Sequence, residues 1–229
     1  MLPHIAARFD DAADYQRRID ALVPGRHLLA EAAAARLAVR QRAPAVVGVV
    51  GPGPGDELLT LADALPAARF EVFEVSDAMA EVCRQTVEAA GLSDRVVIHA
   101  TALSGAEVSG WDAAVCLLVG HLLPAEQRME LVAALASRMR PDAVLCHAEI
   151  VCMPPLVRSA WLAWSEAAGV PLVGLRRLRE NLSGGFPLWH GDEVLRLFRG
   201  AGFRLEASLV RSFGTVLWSL RRLPAEPAA

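Results

Sequence analysis

Three glycines spaced two residues apart follow an apolar run early in the chain. Gly51, Gly53 and Gly55 come directly after residues 46–50, and Asp56 follows them. Glycine adopts backbone conformations that other residues avoid, and it lets a ligand approach bare backbone. The pattern predicts a strand that turns sharply into a helix, with a ligand bound at the turn. A plain tight turn is the alternative.

The residues around this turn discriminate among cofactors. A phosphate-binding P-loop needs a lysine, and all 23 lysine-or-arginine positions of this chain are arginine. A dinucleotide-binding turn has the pattern G-x-G-x-x-G. Its third glycine would fall where Asp56 stands, and a carboxylate there would repel a pyrophosphate. A cofactor with a positive charge and no phosphate tolerates this carboxylate, and S-adenosylmethionine meets both conditions.

A second acidic residue lies where it could bind a sugar. The sequence predicts a strand over 69–75 that contains Glu74, 19 residues after Gly55. An acid at the end of this strand can accept hydrogen bonds from a ribose diol. Ser76 is then the predicted N-cap of a helix over 77–90. The alternative is a solvated glutamate at a strand end.

Strands and helices alternate along most of the chain. The predicted strands cover residues 45–51, 69–75, 95–99, 112–119, 143–151, 203–210 and 213–221. Helices are predicted over 56–65, 77–90, 124–139, 155–168 and 191–201, with an irregular stretch before the last of them. This alternation predicts an α/β fold with a doubly wound, mostly parallel sheet. The last two strands are joined by too few residues for a parallel crossover, so they must be antiparallel.

Composition argues against several classes of protein. A net charge of −3 over 229 residues provides no basic surface for nucleic acid. No uncharged apolar run is long enough to span a membrane. The four cysteines lack the spacing of a metal site, so we predict no metal. We expect a cytoplasmic protein, since the sequence opens without a signal-like segment.

Five segments, in this order and spacing, resemble the class I S-adenosylmethionine-dependent methyltransferases that act on small molecules. The segments are 47–56, 74–79, 111–115 with 119–124 after it, 138–145 and 201–203. The resemblance extends over residues 10–222. It implies a Rossmann-like sheet of seven strands in the order 3-2-1-4-5-7-6, with strand 7 antiparallel, and S-adenosylmethionine as the cofactor.

The resemblance also suggests a division of the chain. Residues 1–42 are expected to form an N-terminal helical cap, with helices over 11–22 and 27–42. Residues 43–222 are expected to form the methyltransferase domain, with a lid insertion at about 152–192. Residues 9–15 resemble an entry helix whose tyrosine lies over the methionine end of the cofactor. Tyr15 would take this role, or would simply pack against a helix.

The cofactor contacts that the resemblance implies fall on Tyr15, Gly51, Gly53, Gly55, Glu74, Val75, Thr101, Ala102 and Leu118. Two positions depart from the family pattern. Val49 stands where the family has an acid, and Thr101 stands where it has an aspartate that binds the adenine. These departures keep open a relative that has the fold but altered chemistry.

Polar residues at the predicted carboxyl ends of the strands are candidates for catalysis. Methyl transfer from a sulfonium needs mainly proximity and alignment, and it needs a general base only when the accepting atom must lose a proton. His121, Glu149 and His190 are the candidates for this base. His147 alternates with Glu149 in the fifth strand, so both should point to one face. Each could instead be a satisfied structural group.

Aromatic residues predict the substrate side of the site. Trp161 and Trp164 are three residues apart and should share a helix face. Together with Phe186 and Trp189 they could line an aromatic pocket. The alternative is that the tryptophans pack their helix against the edge of the sheet.

These observations predict an enzyme that transfers a methyl group from S-adenosylmethionine to a small, largely apolar or aromatic molecule, in the biosynthesis of a secondary metabolite. Two alternatives stay open: a protein of this fold that only binds a ligand or partner, and a relative of the enzymes that modify the wobble uridine of tRNA. Under the favoured hypothesis the partner is a small molecule. This hypothesis involves neither a membrane nor nucleic acid, and it is compatible with a homodimer.

Overall fold

A computed structural model of the protein describes residues 19–39, 44–105 and 107–224. Within them, a seven-stranded sheet is flanked by helices. The strands are β1 (Val46–Val50), β2 (Arg69–Phe73), β3 (Val96–His99), β4 (Trp111–Leu117), β5 (Met139–Ile150), β6 (Phe203–Ser212) and β7 (Thr215–Arg222). The helices are α1 (Arg26–Ala38), α2 (Asp56–Ala64), α3 (Asp77–Ala89), α4 (Ala125–Arg138), α5 (Pro155–Ala167), α6 (Leu172–Glu180) and α7 (Gly191–Gly200).

The sheet has the strand order β3-β2-β1-β4-β5-β7-β6. The strands from β1 to β5 pair in parallel, whereas β7 runs antiparallel to both β5 and β6. Phe213 and Gly214 join β6 to β7, and this connection is too short for a parallel crossover. The predicted fold class and strand order are therefore confirmed.

Alternating apolar residues of the central strands build one core on each face of the sheet. Val49 of β1 packs in a cluster with Leu58 of α2. Val50, the next residue, belongs to a second cluster that includes Leu135 of α4 and Phe198 of α7. Successive side chains of a strand point to opposite faces, so the two clusters cover both sides. The sheet is thereby enclosed by helices, as its nearly continuous apolar strands require.

The segment after α5 is more regular than the sequence predicts. In place of an irregular stretch, the structure has α6, followed at once by a π-helical turn over Asn181–Gly185. Leu178 and Leu182, one helical turn apart, are both buried in a small cluster with Trp161. This packing extends helical structure into a serine- and glycine-rich sequence, until Gly184 interrupts it with a φ of 136°.

The entry into β5 also differs from the prediction. The sequence places a break at Pro141 and Asp142, but β5 begins at Met139, directly after α4. The pairing with β4 is irregular there, because Trp111 opposes Met139 while Ala113 already opposes Val144. The strand therefore contains an irregularity where a loop is predicted.

Two predicted helices near the N-terminus lie partly outside the described residues. Residues 19–22 are helical, and the rest of the helix predicted over 11–22 is not described. The helix predicted over 27–42 corresponds to α1, which ends at Ala38. No helix of the described part of the chain is both long and apolar enough to cross a membrane.

Candidate functional site

The glycine-rich turn after β1 forms one part of the wall of the candidate site. Gly51 and Gly53 have φ values of 66° and 59°, which L side chains rarely adopt. The Gly51 N–H donates to the Phe73 carbonyl at 2.8 Å. A Cβ atom at Gly51 would lie only 2.5 Å from Cγ2 of Val119. The backbone here is therefore bare, and the turn is held close to the ends of both neighbouring strands.

Glu74 ties this turn to the end of β2. One carboxylate oxygen accepts from the Gly53 N–H at 3.0 Å, and the other accepts from the Ser76 N–H at 2.9 Å. The side chain is 6% exposed. Burial raises the pKa of Glu74, and the two N–H groups limit the rise. A well-oriented carboxylate thus lies beside bare backbone.

A cavity of about 700 Å³ extends from the glycine turn to the helices that follow β5. Eight of the predicted site residues line it: Gly51, Gly53, Glu74, Val75, Leu118, His121, Trp161 and Phe186. Leu118, directly after β4, has a φ of 62°. This conformation is an outlier for a bulky residue, and such strain is concentrated at functional sites.

His121 lies on a 3₁₀ turn between β4 and α4, where it lines the cavity. Its ring contacts Phe186 edge-on, with 5.2 Å between the ring centroids. Burial lowers its pKa to about 4, so the imidazole is neutral at physiological pH. Its Nδ1 atom has no hydrogen-bond partner among the described residues. A neutral imidazole with one unpaired nitrogen therefore belongs to the cavity wall.

A buried ionic network underlies this turn. Glu149 accepts a hydrogen bond at 2.8 Å from Nε2 of His147 when that nitrogen is protonated, and it lies 3.5 Å from the Arg128 guanidinium. Arg128 in turn donates two hydrogen bonds to the Gly120 carbonyl. Burial alone would raise the pKa of Glu149, but His147 and Arg128 outweigh burial and lower it. A Cβ atom at Gly120 would collide with the Glu149 carboxylate, so the network packs directly against the turn.

The structure keeps two of the three candidate bases off the cavity wall. Glu149 is engaged in the network and is 1% exposed. His147 and Glu149 do share a face, as the strand alternation predicts. His190 is exposed at the N-cap of α7, where its N–H donates to Glu193 at 2.7 Å. Only His121 of the three is a described lining residue.

The four predicted aromatic residues also differ in whether they line the cavity. Trp161 is fully buried, lines the cavity, and donates from Nε1 to the Leu22 carbonyl at 2.8 Å. Trp164 is 37% exposed and does not belong to the described wall. A spacing of three leaves two helical residues about 60° apart around the axis, which is enough here to bury one and expose the other. Trp189 stacks over Arg128 at 4.5 Å, outside the wall.

The remaining predicted cofactor contacts do not belong to the described cavity wall. Gly55 precedes α2, and a Cβ atom there would lie 2.8 Å from Cys83 Sγ. Its position thus serves close packing against α3. Thr101 and Ala102 are exposed after β3. Tyr15 falls outside the described residues.

Some cavity residues carry no motif that would single them out in the sequence. Arg26 of α1, Glu57 of α2 and Leu178 of α6 all line the cavity. The one available signal is that Glu57 directly follows Asp56 in the first turn of α2, two residues after the last glycine of the motif.

Solved structures resemble this fold, whereas no protein-family model and no curated protein sequence matches the chain. The mitomycin 7-O-methyltransferase MmcR superposes with a TM-score of 0.66 at 20% identity, over 95% of this chain and 60% of its own. The O-methyltransferase NcsB1 from neocarzinostatin biosynthesis was solved in complex with S-adenosylmethionine and 2-hydroxy-5-methyl naphthoic acid. It superposes with a TM-score of 0.64 at 18% identity, over 97% of this chain and 59% of its own.

The [4+2]-cyclase SpnF superposes equally well, with a TM-score of 0.66 at 15% identity, over 86% of this chain and 82% of its own. This chain spans only about 60% of the length of MmcR and NcsB1. At these identities the likeness concerns the fold. The chain therefore has the class I methyltransferase fold that its sequence motifs resemble.

Proposed function

We propose that this protein transfers a methyl group from S-adenosylmethionine to a small, largely apolar or aromatic molecule. The observation that carries the proposal is a single cavity that includes both the glycine turn with Glu74 and the aromatic side chains of Trp161 and Phe186. Its volume of about 700 Å³ lies within the range of small-molecule sites. One cavity can thus hold a nucleoside cofactor and an organic substrate side by side.

The residues present fit this cofactor. Glu74 can accept the hydroxyl groups of the ribose, as acids at this position do in related nucleotide-binding folds. Gly51 and Gly53 leave the backbone bare where the cofactor would pass, and Val75 lies beside Glu74 on the wall. The bound cofactor supplies an electrophilic methyl group on a sulfonium. The protein has to align an acceptor with it and exclude water.

The substrate side of the cavity suits an aromatic molecule with a hydroxyl group. Trp161, Phe186 and Leu178 form an apolar part of the cavity wall. The free nitrogen of His121 can accept the proton or the hydrogen bond of a hydroxyl beside them. NcsB1, whose structure holds a hydroxylated naphthoic acid, supports an aromatic acceptor of this kind. The segment 152–192 would act as the lid over it.

Isothermal titration of the purified protein with S-adenosylmethionine and with S-adenosylhomocysteine tests the proposal. Micromolar binding of either is the expected result. A screen of small hydroxylated aromatic molecules for methyl transfer would then identify the acceptor. If neither compound binds at millimolar concentration, the proposal is wrong.

A second candidate function is a different reaction on the same fold. The observation that favours it is the likeness to the [4+2]-cyclase SpnF, of which this chain covers 82%. Val49 and Thr101, which depart from the methyltransferase pattern, agree with it. Cofactor binding without methyl transfer to any member of a broad panel of acceptors would favour this alternative.

A further inference from the structure

Glu57 is a buried acid on the wall of the cavity. It is the second residue of α2 and is 9% exposed. It lines the same cavity as Gly53 and Glu74. Its Oε1 atom has no hydrogen-bond partner within the described residues. A buried polar atom without a partner is costly, so this oxygen calls for an explanation.

The charges around Glu57 do not provide one. Burial raises its pKa to about 8, and Asp56 and Glu74 add to the rise. Burial, together with the Glu57 charge, raises the pKa of the Cys83 thiol in α3, and this neutral thiol provides no positive charge to pair with Glu57. Arg26 is the cation that opposes these effects. Its guanidinium, however, donates to Asp20 at 2.6 Å and lies 3.9 Å from Asp56, so it is engaged elsewhere.

The position of Glu57 in its helix accounts for only part of this arrangement. An acid in the first turn of a helix is favoured by the helix dipole. That effect would be satisfied equally by an exposed side chain, as at Asp56, which is 43% exposed. It does not explain a side chain buried on a cavity wall with one oxygen unpaired. The arrangement instead matches a carboxyl group that becomes charged and paired when a cationic ligand binds in the cavity.

We propose that Glu57 binds the α-ammonium group of S-adenosylmethionine. This inference rests on the proposed function, which places that cofactor in the cavity. The cofactor carries two positive groups, a sulfonium and an ammonium. A sulfonium has no hydrogen to donate, whereas an ammonium has three N–H donors. A carboxyl group on the cavity wall can accept a hydrogen bond from a donor, so the ammonium is the group that fits. Glu57 thereby gives the site an acid in a chain that has Val49 where its relatives have one.

Binding measurements on Glu57→Gln test this assignment with three ligands. These are S-adenosylmethionine, S-adenosylhomocysteine, which keeps the ammonium but lacks the sulfonium, and 5′-methylthioadenosine, which lacks the amino acid portion entirely. We expect the first two to bind roughly 10- to 100-fold more weakly. The affinity for 5′-methylthioadenosine should not change. Asp63→Asn, an exposed acid on the same helix, is the matched control and should bind all three normally.

The possible failures can be told apart. If the wild-type protein binds none of the ligands, the proposed function itself is wrong. If the wild type binds and Glu57→Gln binds equally well, the assignment of Glu57 is overturned. Equal losses for all three ligands would mean that Glu57 only shapes the cavity. A loss confined to S-adenosylmethionine would assign Glu57 to the sulfonium, and it would also overturn the proposal.

Proton release provides a readout that a merely structural role would not change. With its pKa near 8 in the free protein, Glu57 is mostly protonated at pH 7, and a bound ammonium would favour its charged form. Wild-type protein should therefore release close to one proton on binding S-adenosylhomocysteine at pH 7. Titration in two buffers of different ionisation enthalpy measures this number. Equal release by wild type and Glu57→Gln would contradict the proposal.

Discussion

Burial keeps His121 uncharged, while the nearby Glu149 retains its charge. The pKa of His121 falls to about 4 because burial penalises the imidazolium, although Glu149 opposes the fall. Glu149 is held ionised by His147 and Arg128 despite its burial. At neutral pH the cavity wall therefore presents a neutral acceptor, with its charged neighbours already paired behind it. This is the state in which His121 could accept a hydrogen bond from a substrate hydroxyl.

We expect His121→Asn to lower kcat by roughly 100-fold or more while leaving the affinity for S-adenosylmethionine unchanged. His190→Asn, the same replacement at an exposed histidine outside the wall, is the control. The wild-type rate should stay level as the pH falls from about 8 to about 5, because His121 protonates only near pH 4. A rate that already halves at a pH of about 6.5, the ordinary pKa of histidine, would contradict this role.

Glu74→Gln should weaken the binding of S-adenosylmethionine by roughly 10- to 100-fold. The glutamine nitrogen cannot accept a hydrogen bond, so either the Gly53 or the Ser76 N–H loses its partner, and the ribose loses a charged acceptor. Glu71→Gln in β2, which ends just before Glu74, is the control, since Glu71 pairs with His99 at 2.7 Å and is not a described lining residue. Calorimetric titration of both variants gives the answer. Unchanged affinity in Glu74→Gln would refute the ribose assignment.

Among the elements, α4 connects two parts of the cavity wall through Arg128. This side chain is 1% exposed and donates to the Gly120 carbonyl beside His121. It also donates to the Pro187 carbonyl at 3.1 Å, just before α7. Trp189 covers its guanidinium. The turn that carries His121 and the chain around Pro187 are thus fixed to one helix.

Replacing Arg128 by lysine should therefore loosen both attachments at once. Lysine keeps the charge but cannot reproduce the planar fork of hydrogen bonds. We expect a loss of about 1–3 kcal/mol in the free energy of unfolding, together with faster proteolysis between residues 181 and 190. Arg140→Lys, at an exposed pair with Asp112, should change stability by less than about 1 kcal/mol. Equal stability losses in the two variants would show that the buried network has no special role.

The elements differ in how far their sequence determines them. Strand alternation and the two-residue connection before β7 are local features, and they predict the sheet order correctly. The formation of α6 is not local. Leu178 of α6 and Leu182 of the turn after it pack in one cluster with Trp161 of α5, and this contact joins elements that are separate in the sequence. The same holds for β5, whose first residues pair with β4 despite Pro141.

At the scale of the whole molecule, the site is predictable where a motif lies within one connection. The sequence predicts Gly51, Gly53 and Glu74 in this way, because a strand end and the following turn determine their positions. It does not predict Glu57 and Arg128, since their importance arises from burial among elements distant in sequence. A carboxylate on α2 becomes unusual only once α1, α3 and the sheet enclose it. Only tertiary structure reveals such residues.

The enclosure of Glu57 should affect the stability of the entire protein. Its pKa rises from an ordinary value of 4.5 to about 8 in the folded protein. At a pH between these two values, the native state keeps a proton that the unfolded chain has lost. The native state therefore binds more protons, and stability falls as the pH rises through this range.

Relative to wild type, Glu57→Gln should gain on the order of 4 kcal/mol in the free energy of unfolding between pH 5 and pH 9 in the absence of cofactor. Thermal or urea unfolding of both proteins across this range measures the difference, with Asp63→Asn, at an exposed acid of the same helix, as control. If the two stability curves are parallel across this range, ionisation of Glu57 does not lower the free energy of unfolding, and the prediction is wrong. If the cofactor's ammonium compensates the charge, a saturating concentration of S-adenosylmethionine should abolish the stability advantage of the variant.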